Sequence, residues 1–175
     1  MRRLLLLRHA KASPDEPWVD DAQRPLTQKG RADAVRMGRF LRRHAPDQIY
    51  CSSALRTRQT LELLLPELEA PPGVEYRDEL YLAKSSTIIE VIRAAPDVGS
   101  LMIVGHNPGL EECAHQLARR PSDRKMRKLY DAMNDKYPTG ALAVMDFASP
   151  TWAGIDAQEG ELDIFVRPKD LKEET

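Results

Sequence analysis

The sequence has little cysteine, little excess charge of either sign and no long apolar stretch, and each shortage excludes a class of protein. Its 175 residues include 2 cysteines, Cys51 and Cys113, which form neither a disulfide framework nor the paired spacing of a zinc site. Lys and Arg number 26 against 27 Asp and Glu, so the net charge of -1 creates no bulk attraction to nucleic acid or to an acidic membrane. We therefore expect no nucleic-acid partner, no membrane partner, no metal and no cofactor.

Apolar runs are short throughout the chain. The run at residues 4–7 ends at Arg8 and is shorter than the roughly 7–15 residues of a signal-peptide core. No window approaches the roughly 20 apolar residues of a membrane span, and we predict a cytoplasmic protein. A chain of this length is one ordinary domain. We predict a single domain over residues 1–168, followed by a charged tail at 169–175.

Hydrophobic patterning predicts strands alternating with helices. Continuous apolar runs are typical of strands buried on both faces, and apolar residues three and four positions apart indicate helices. The predicted strands cover residues 4–7, 48–51, 74–77, 101–104, 140–147 and 162–166. The predicted helices cover residues 27–43, 54–65, 85–95 (capped by Ser85 or Ser86), 109–119 and 124–133. The alternation predicts a three-layer α/β/α sandwich with a mainly parallel central sheet.

Polar side chains follow the first four predicted strands, at the points where each strand ends. In open α/β sheets, ligands bind beyond the carboxyl ends of the strands. The residues at these points are Arg8 and His9, then Arg56, then Asp78 and Glu79, and finally His106. Each has an ordinary explanation when taken alone, such as a packed histidine or a solvated arginine. Their shared position at strand ends predicts one site.

Two arginines and two histidines at one edge of a sheet suit the chemistry of a phosphoryl group. Guanidinium groups match phosphate oxygens bidentately and stay charged, and the starts of helices favour the same anion. A neutral imidazole is a competent nucleophile at phosphorus, and flanking cations favour its neutral form. A second histidine can stabilise charge on the transferring group, and a carboxylic acid can protonate the leaving group. These residues predict metal-independent phosphoryl transfer through a phosphohistidine intermediate.

The same residues resemble those of a known family. The segments at residues 7–10 (Leu-Arg-His-Ala), 52–60 and 104–108 are similar, in this order, to motifs of the histidine phosphatase superfamily. Asp21, residues 24–27 and Gly30 match the segment that usually follows the first motif. The resemblance covers residues 4 to about 147. It implies the phosphoglycerate-mutase-like fold.

The resemblance also implies a role for each matching residue. His9 would be the nucleophile, Arg8 and Arg56 would bind the phosphoryl group, and His106 would stabilise the transition state. Glu79 falls where larger relatives place their proton donor, with Asp78 as the adjacent alternative. A phosphohistidine leaving group is labile enough to need no donor. The identity of the acid therefore stays open.

The shortness of the chain separates branches of this superfamily. Only residues 80–105 lie between Glu79 and His106, which leaves no room for a cap domain over the site. The short form and the Arg-His-Ala-Lys-Ala opening are most similar to SixA-type phosphohistidine phosphatases. The resemblance implies a hydrolase whose partner is a phosphoprotein, with a histidine-phosphotransfer domain as one candidate. Two alternatives stay open: a small-molecule phosphomonoesterase or mutase of the same superfamily, and a phosphoprotein-binding module with vestigial catalysis.

Overall fold

Six strands form one sheet in the computed structural model, which describes residues 1–171. They are β1 (Arg2–Arg8), β2 (Gln48–Ser52), β3 (Gly73–Arg77), β4 (Ser100–Gly105), β5 (Leu142–Phe147) and β6 (Glu161–Val166). The order across the sheet is β3-β2-β4-β1-β5-β6. The first four strands are parallel, whereas β5 is antiparallel to both β1 and β6. The prediction of a mainly parallel sheet is confirmed.

Helices cover both faces of the sheet. Within residues 1–171 they are α1 (Gln28–Leu41), α2 (Leu55–Leu64), α3 (Ser85–Arg93), α4 (Gly109–Leu117) and α5 (Arg124–Asp135). The first two pack on the face that carries Leu5 and Leu7, and the other three pack on the face of Leu4 and Leu6. Alternate residues of β1 therefore enter two different cores, which explains why the run is apolar at every position. The predicted three-layer fold is confirmed.

Helix starts show one success and one error of the sequence prediction. Thr27 caps α1, and its hydroxyl accepts a hydrogen bond from the backbone N–H of Gly30 at 3.0 Å. The prediction that Ser85 or Ser86 caps α3 is wrong, because the cap position belongs to Lys84. The carbonyl of Lys84 already accepts from the N–H of Ile88 at 3.1 Å. The helix thus begins one residue earlier than a serine cap would allow.

A close backbone approach brings the segment after β3 to the start of α4. A Cβ added to Gly109 would lie 1.8 Å from the carbonyl oxygen of Ala83, so glycine is required there. The same two segments also make an edge contact between the rings of Tyr81 and His106, whose centroids are 5.6 Å apart. The segments that follow β3 and β4 therefore meet at one end of the sheet.

The chain after β6 continues into a short turn. Pro168–Asp170 form a 3-10 helix, closed by an ion pair of 2.9 Å between Arg167 and Asp170. The predicted tail at residues 169–175 therefore begins within this turn, and residues 172–175 lie outside the described residues. The domain boundary at residue 168 stays a prediction. No helix in residues 1–171 combines the length and apolar character needed to cross a membrane.

Candidate active site

Four of the predicted site residues line a single cleft at the carboxyl ends of the strands. Arg8, His9, Arg56 and His106 all contribute to this cleft, whose volume is about 280 Å³. Strands β1 and β4 are neighbours, and the N–H of His9 donates to the carbonyl of Gly105 at 3.1 Å. This register places the two histidine rings with their centroids 5.3 Å apart. The sheet itself thus brings the histidines together.

Only one ring nitrogen of His9 has a hydrogen-bond partner within residues 1–171. Its Nδ1 lies 2.7 Å from the carbonyl oxygen of Ala10, which can only accept, so Nδ1 carries the hydrogen. Burial, followed by the charges of Arg8 and Arg56, lowers the pKa of His9 to about 4. The ring is therefore neutral at pH 7. Its Nε2 keeps a lone pair that can act as a nucleophile.

His106 has a different partner. Its Nε2 lies 2.7 Å from the hydroxyl oxygen of Ser52, and that oxygen accepts from the N–H of Ala54 at 3.4 Å. When Ser52 donates its own hydrogen to Nε2, the Nδ1 of His106 carries the ring hydrogen. Burial, followed by the proximity of His9 and Arg56, lowers the pKa of His106 to about 3. Ser52 was part of the sequence motif, but its role as a partner of His106 was not predicted.

Three buried nitrogens at the cleft lack a hydrogen-bond partner among the described residues. They are the Nε atoms of Arg8 and Arg56 and the Nδ1 of His106. An unsatisfied buried donor costs about 1–3 kcal/mol. The three residues that carry these nitrogens line the same cleft, which favours a ligand rich in acceptor oxygens. A phosphoryl group fits this set of donors and the two positive charges.

A carboxylate, Asp21, holds Arg56 in place. The guanidinium of Arg56 donates to the Asp21 carbonyl at 2.7 Å and to its carboxylate at 3.1 Å. Arg24 donates to the same carboxylate at 3.0 Å, and the hydroxyl of Tyr81 donates to it as well. Burial opposes ionisation, but hydrogen bonds from Tyr81 and Arg56 prevail and lower the pKa of Asp21 to about 2. Asp21 is therefore ionised at neutral pH and cannot serve as a proton donor.

Sequence reasoning found Asp21 and Arg24 only as part of a matching segment, and it did not single out Tyr81. The three lie on two separate stretches of chain that meet in space. The nearest signal for Tyr81 was its position directly after the polar residues that follow β3. That signal does not distinguish it from an ordinary surface tyrosine.

The structure does not bring Glu79 to the cleft. Its carboxylate lies 3.4 Å from Nε of Arg77, and its side chain is about half exposed. Neither Glu79 nor Asp78 is among the described residues that line the cleft. The cause is the 3-10 turn Asp78–Leu80, which buries Leu80 in the core and leaves Glu79 outside. Glu79 therefore lies outside the described lining of the cleft, and its role as a proton donor stays a prediction.

The protonation of His9 couples the stability of the folded protein to pH. The pKa of His9 is about 4 in the folded protein and 6.5 ordinarily, so the unfolded chain takes up this proton first as pH falls. The contribution of neutral His9 to stability is complete above pH 6.5 and is lost as pH falls toward 4. We expect His9 to lower the free energy of unfolding by about 2–3 kcal/mol between pH 7 and pH 4, measured by urea denaturation. The variant His9→Asn should show a shallower pH dependence, and an unchanged one would contradict this assignment.

Residues 1–171 contain no cluster of candidate metal ligands, and both cysteines are buried. No group of three or more His, Cys, Asp or Glu in this range is arranged to hold a metal ion. Cys51 and Cys113 are free and buried, and burial raises the pKa of both thiols. The metal-independent reaction stays a prediction, and activity in the presence of a chelator is its test.

Known proteins share both the motifs and the fold of this chain. The model of the histidine phosphatase superfamily (branch 1) matches residues 4–81. An uncharacterized protein of Mycobacterium leprae is 31% identical over 169 residues, which are 93% of this chain and 100% of that protein. A solved structure of a candidate phosphohistidine phosphatase SixA from Nakamurella multipartitia is 34% identical in sequence, with a TM-score of 0.80. The match covers 95% of this chain and 96% of that one. This chain belongs to the histidine phosphatase superfamily.

The structural comparison also assigns a branch of the histidine phosphatase superfamily. A second candidate phosphohistidine phosphatase SixA, from Agrobacterium tumefaciens, is 32% identical with a TM-score of 0.78. The match covers 95% of this chain and 98% of that one. The chain is a SixA-type member of the superfamily, and its activity is that of a phosphatase. The identity of the phosphorylated substrate is a separate question.

Proposed function

We propose that this phosphatase removes the phosphoryl group from a phosphohistidine in a protein, through a phosphohistidine on its own His9. The observation that carries the proposal is the orientation of the His9 ring, whose Nδ1 is engaged by the carbonyl of Ala10 while its Nε2 has no hydrogen-bond partner among residues 1–171. Burial lowers the pKa of His9, which favours the neutral form of the ring. The ring lies in a cleft with the unpaired donors of Arg8, Arg56 and His106. Nucleophile and anion-binding groups are thus positioned before substrate arrives.

In the first step, Nε2 of His9 forms a bond to phosphorus, and the phosphorus–nitrogen bond of the substrate breaks. The electron pair of the broken bond goes to the leaving nitrogen. When the other ring nitrogen of the substrate carries a hydrogen, the imidazole leaves as a neutral base and needs no proton. The guanidinium groups of Arg8 and Arg56 bind the phosphoryl oxygens as charge spreads over them.

In the second step, water attacks the phosphorus of phosphorylated His9. The bond between phosphorus and Nε2 breaks, and its electron pair returns to the ring. The oxygen and both hydrogens of the water leave with the phosphoryl group as dihydrogen phosphate. His9 regains its neutral form with the hydrogen on Nδ1, so the cycle closes without a metal or a cofactor.

The absence of a usable acid favours a phosphohistidine over an alkyl phosphate. Among the described residues that line the cleft, the carboxylate is Asp21, which is ionised and bound by Arg56. Glu79 lies outside. An alkoxide leaving group needs a proton, and a general acid contributes about 10²–10⁴ to such reactions. The cleft therefore suits a leaving group that departs without enzymatic protonation.

The test is phosphate release from a phosphotransfer protein that carries phosphate on histidine, measured in EDTA beside a panel of sugar and glycerate phosphates. We expect the phosphoprotein to be preferred by about 10²–10⁴ in kcat/KM, the contribution of the missing acid. Preference for one alkyl phosphate would instead indicate a small-molecule phosphomonoesterase. Loss of activity in EDTA would contradict the metal-independent mechanism. A shift of Tm with phosphate but no hydrolysis would indicate a binding module.

A further inference from the structure

Two exposed apolar side chains stand on the two segments that border the cleft. Trp18 is 79% exposed and Leu82 is 53% exposed. Trp18 belongs to the loop that supplies Asp21 and Arg24 to the cleft, and Leu82 lines the cleft from the segment after β3. We refer to Trp18 and Leu82 as the rim pair. Exposed apolar groups that cluster at a site commonly mark a surface that another molecule covers.

The segments that carry the rim pair are joined to each other. The hydroxyl of Tyr81 donates to the carboxylate of Asp21, which links the two segments directly beside the cleft. Leu82 follows Tyr81, and Trp18 precedes Asp21 by three residues, a stretch of chain that spans at most about 11 Å. Leu82 therefore lies next to a residue of this hydrogen bond, and Trp18 lies on the loop that carries the other residue.

The backbone of Leu82 adopts a conformation that residues other than glycine rarely take. Its φ is 48°, in the left-handed region. Turn hydrogen bonds from Tyr81 to Asp78 at 3.0 Å and from Ala83 to Leu80 at 3.3 Å enclose it. Asparagine would adopt this φ more readily and would expose less apolar surface. Strained backbone of this kind clusters at active sites and ligand contacts, which favours a functional role for the exposed side chain of Leu82.

We propose that the rim pair docks on an apolar patch of the substrate protein, around its phosphohistidine. This inference rests on the proposed function and defines its substrate as a folded protein surface. A cleft of about 280 Å³ accommodates one phosphorylated side chain, so the rest of a protein substrate must lie against the rim. A free phosphorylated metabolite would occupy the cleft and leave Trp18 exposed. Burial of a tryptophan at an interface is a frequent source of binding energy.

The test compares the phosphoprotein with free phosphohistidine as substrates of Trp18→Ala and Leu82→Asn. The asparagine suits the left-handed backbone, so Leu82→Asn removes the apolar contact without straining the turn. We expect each variant to raise KM for the phosphoprotein by about tenfold, with kcat near that of the wild type. The effect on free phosphohistidine should be several-fold smaller. The control is Tyr76→Ala, which removes an exposed ring on the edge strand β3, packed beside Arg58. This variant should leave KM and kcat unchanged for both substrates.

Four outcomes separate the two proposals. A wild type that does not hydrolyse the phosphoprotein overturns both the proposed function and the docking surface. If the wild type is active but each variant loses the same factor in kcat/KM on both substrates, the docking surface alone is overturned. An unchanged KM for the phosphoprotein in both variants overturns it as well. Only a selective rise in KM for the phosphoprotein supports it.

Tryptophan emission gives an independent measure of docking. The chain has 2 tryptophans, and Trp152 is 2% exposed, so Trp18 is the one that reports on solvent. Saturating phosphoprotein added to His9→Asn, which cannot form the covalent intermediate, should shift the emission of Trp18 to shorter wavelength. Bound phosphoprotein without such a shift would overturn the docking surface.

Discussion

Replacing His9 with asparagine is expected to abolish phosphate release. The amide nitrogen of asparagine can donate to the carbonyl of Ala10 as Nδ1 does at 2.7 Å, so the local structure is retained. The variant has no atom in place of Nε2 that can bond to phosphorus. We expect kcat/KM to fall by about 10⁴–10⁶, as when the nucleophile of other covalent catalysts is removed. Phosphate release from the phosphoprotein measures the loss.

The covalent step can be observed separately from turnover. Wild-type protein mixed with labelled phosphoprotein and quenched in alkali, in which phosphohistidine survives, should carry label on His9. The matched control is His44→Asn, which changes an exposed histidine just after α1 and should keep both label and activity. Label that remains on His9→Asn would show that another residue is the nucleophile.

Replacing Arg56 with alanine is expected to lower kcat/KM by about 10²–10³, the usual effect of removing one preorganised donor to a developing oxyanion. Arg56 is 2% exposed, and its Nε is a buried donor without a partner among the described residues. Arg56→Lys should recover part of the loss, because lysine keeps the charge but not the planar pair of donors. Initial rates with the phosphoprotein provide the measurement.

Arg58 provides the control for Arg56. It lies two residues further along α2, is exposed, and packs beside the ring of Tyr76. Arg58→Ala should therefore stay close to wild-type kcat/KM. An equal loss in both alanine variants would indicate a general effect on α2 instead of a specific phosphate contact. In Arg56→Ala the carboxylate of Asp21 keeps its hydrogen bonds from Arg24 and Tyr81. The Tm of this variant would show whether these bonds are enough to keep the loop of Asp21 folded.

The strand-end residues were predictable because the sheet imposes their position. Strands β1 and β4 are apolar at every core position, so the sequence marks them clearly, and parallel neighbours end at the same edge. This reasoning brings His9 and His106 together without any knowledge of side-chain direction. Their positions in the structure agree with that prediction.

Contacts between distant segments were not predictable in the same way. Whether Glu79 enters the cleft depends on a single 3-10 turn and on its pairing with Arg77, and neither leaves a periodic pattern. The bond between Tyr81 and Asp21 joins two loops far apart in the chain. The error at the start of α3 has a local cause, since serine is a good cap but Lys84 already occupies that position. Cytoplasmic location also stays a prediction.

The unpaired donors at the cleft have a consequence for how the enzyme responds to its own product. The nitrogens of Arg8, Arg56 and His106 that would bind the phosphoryl group of the substrate can equally bind inorganic phosphate. A ligand that binds only the folded state stabilises it, by about 2.7 kcal/mol at a hundred times its Kd. We therefore expect stability measured in phosphate buffer to include a binding contribution. For the same reason we expect turnover to slow as released phosphate accumulates and competes for the site.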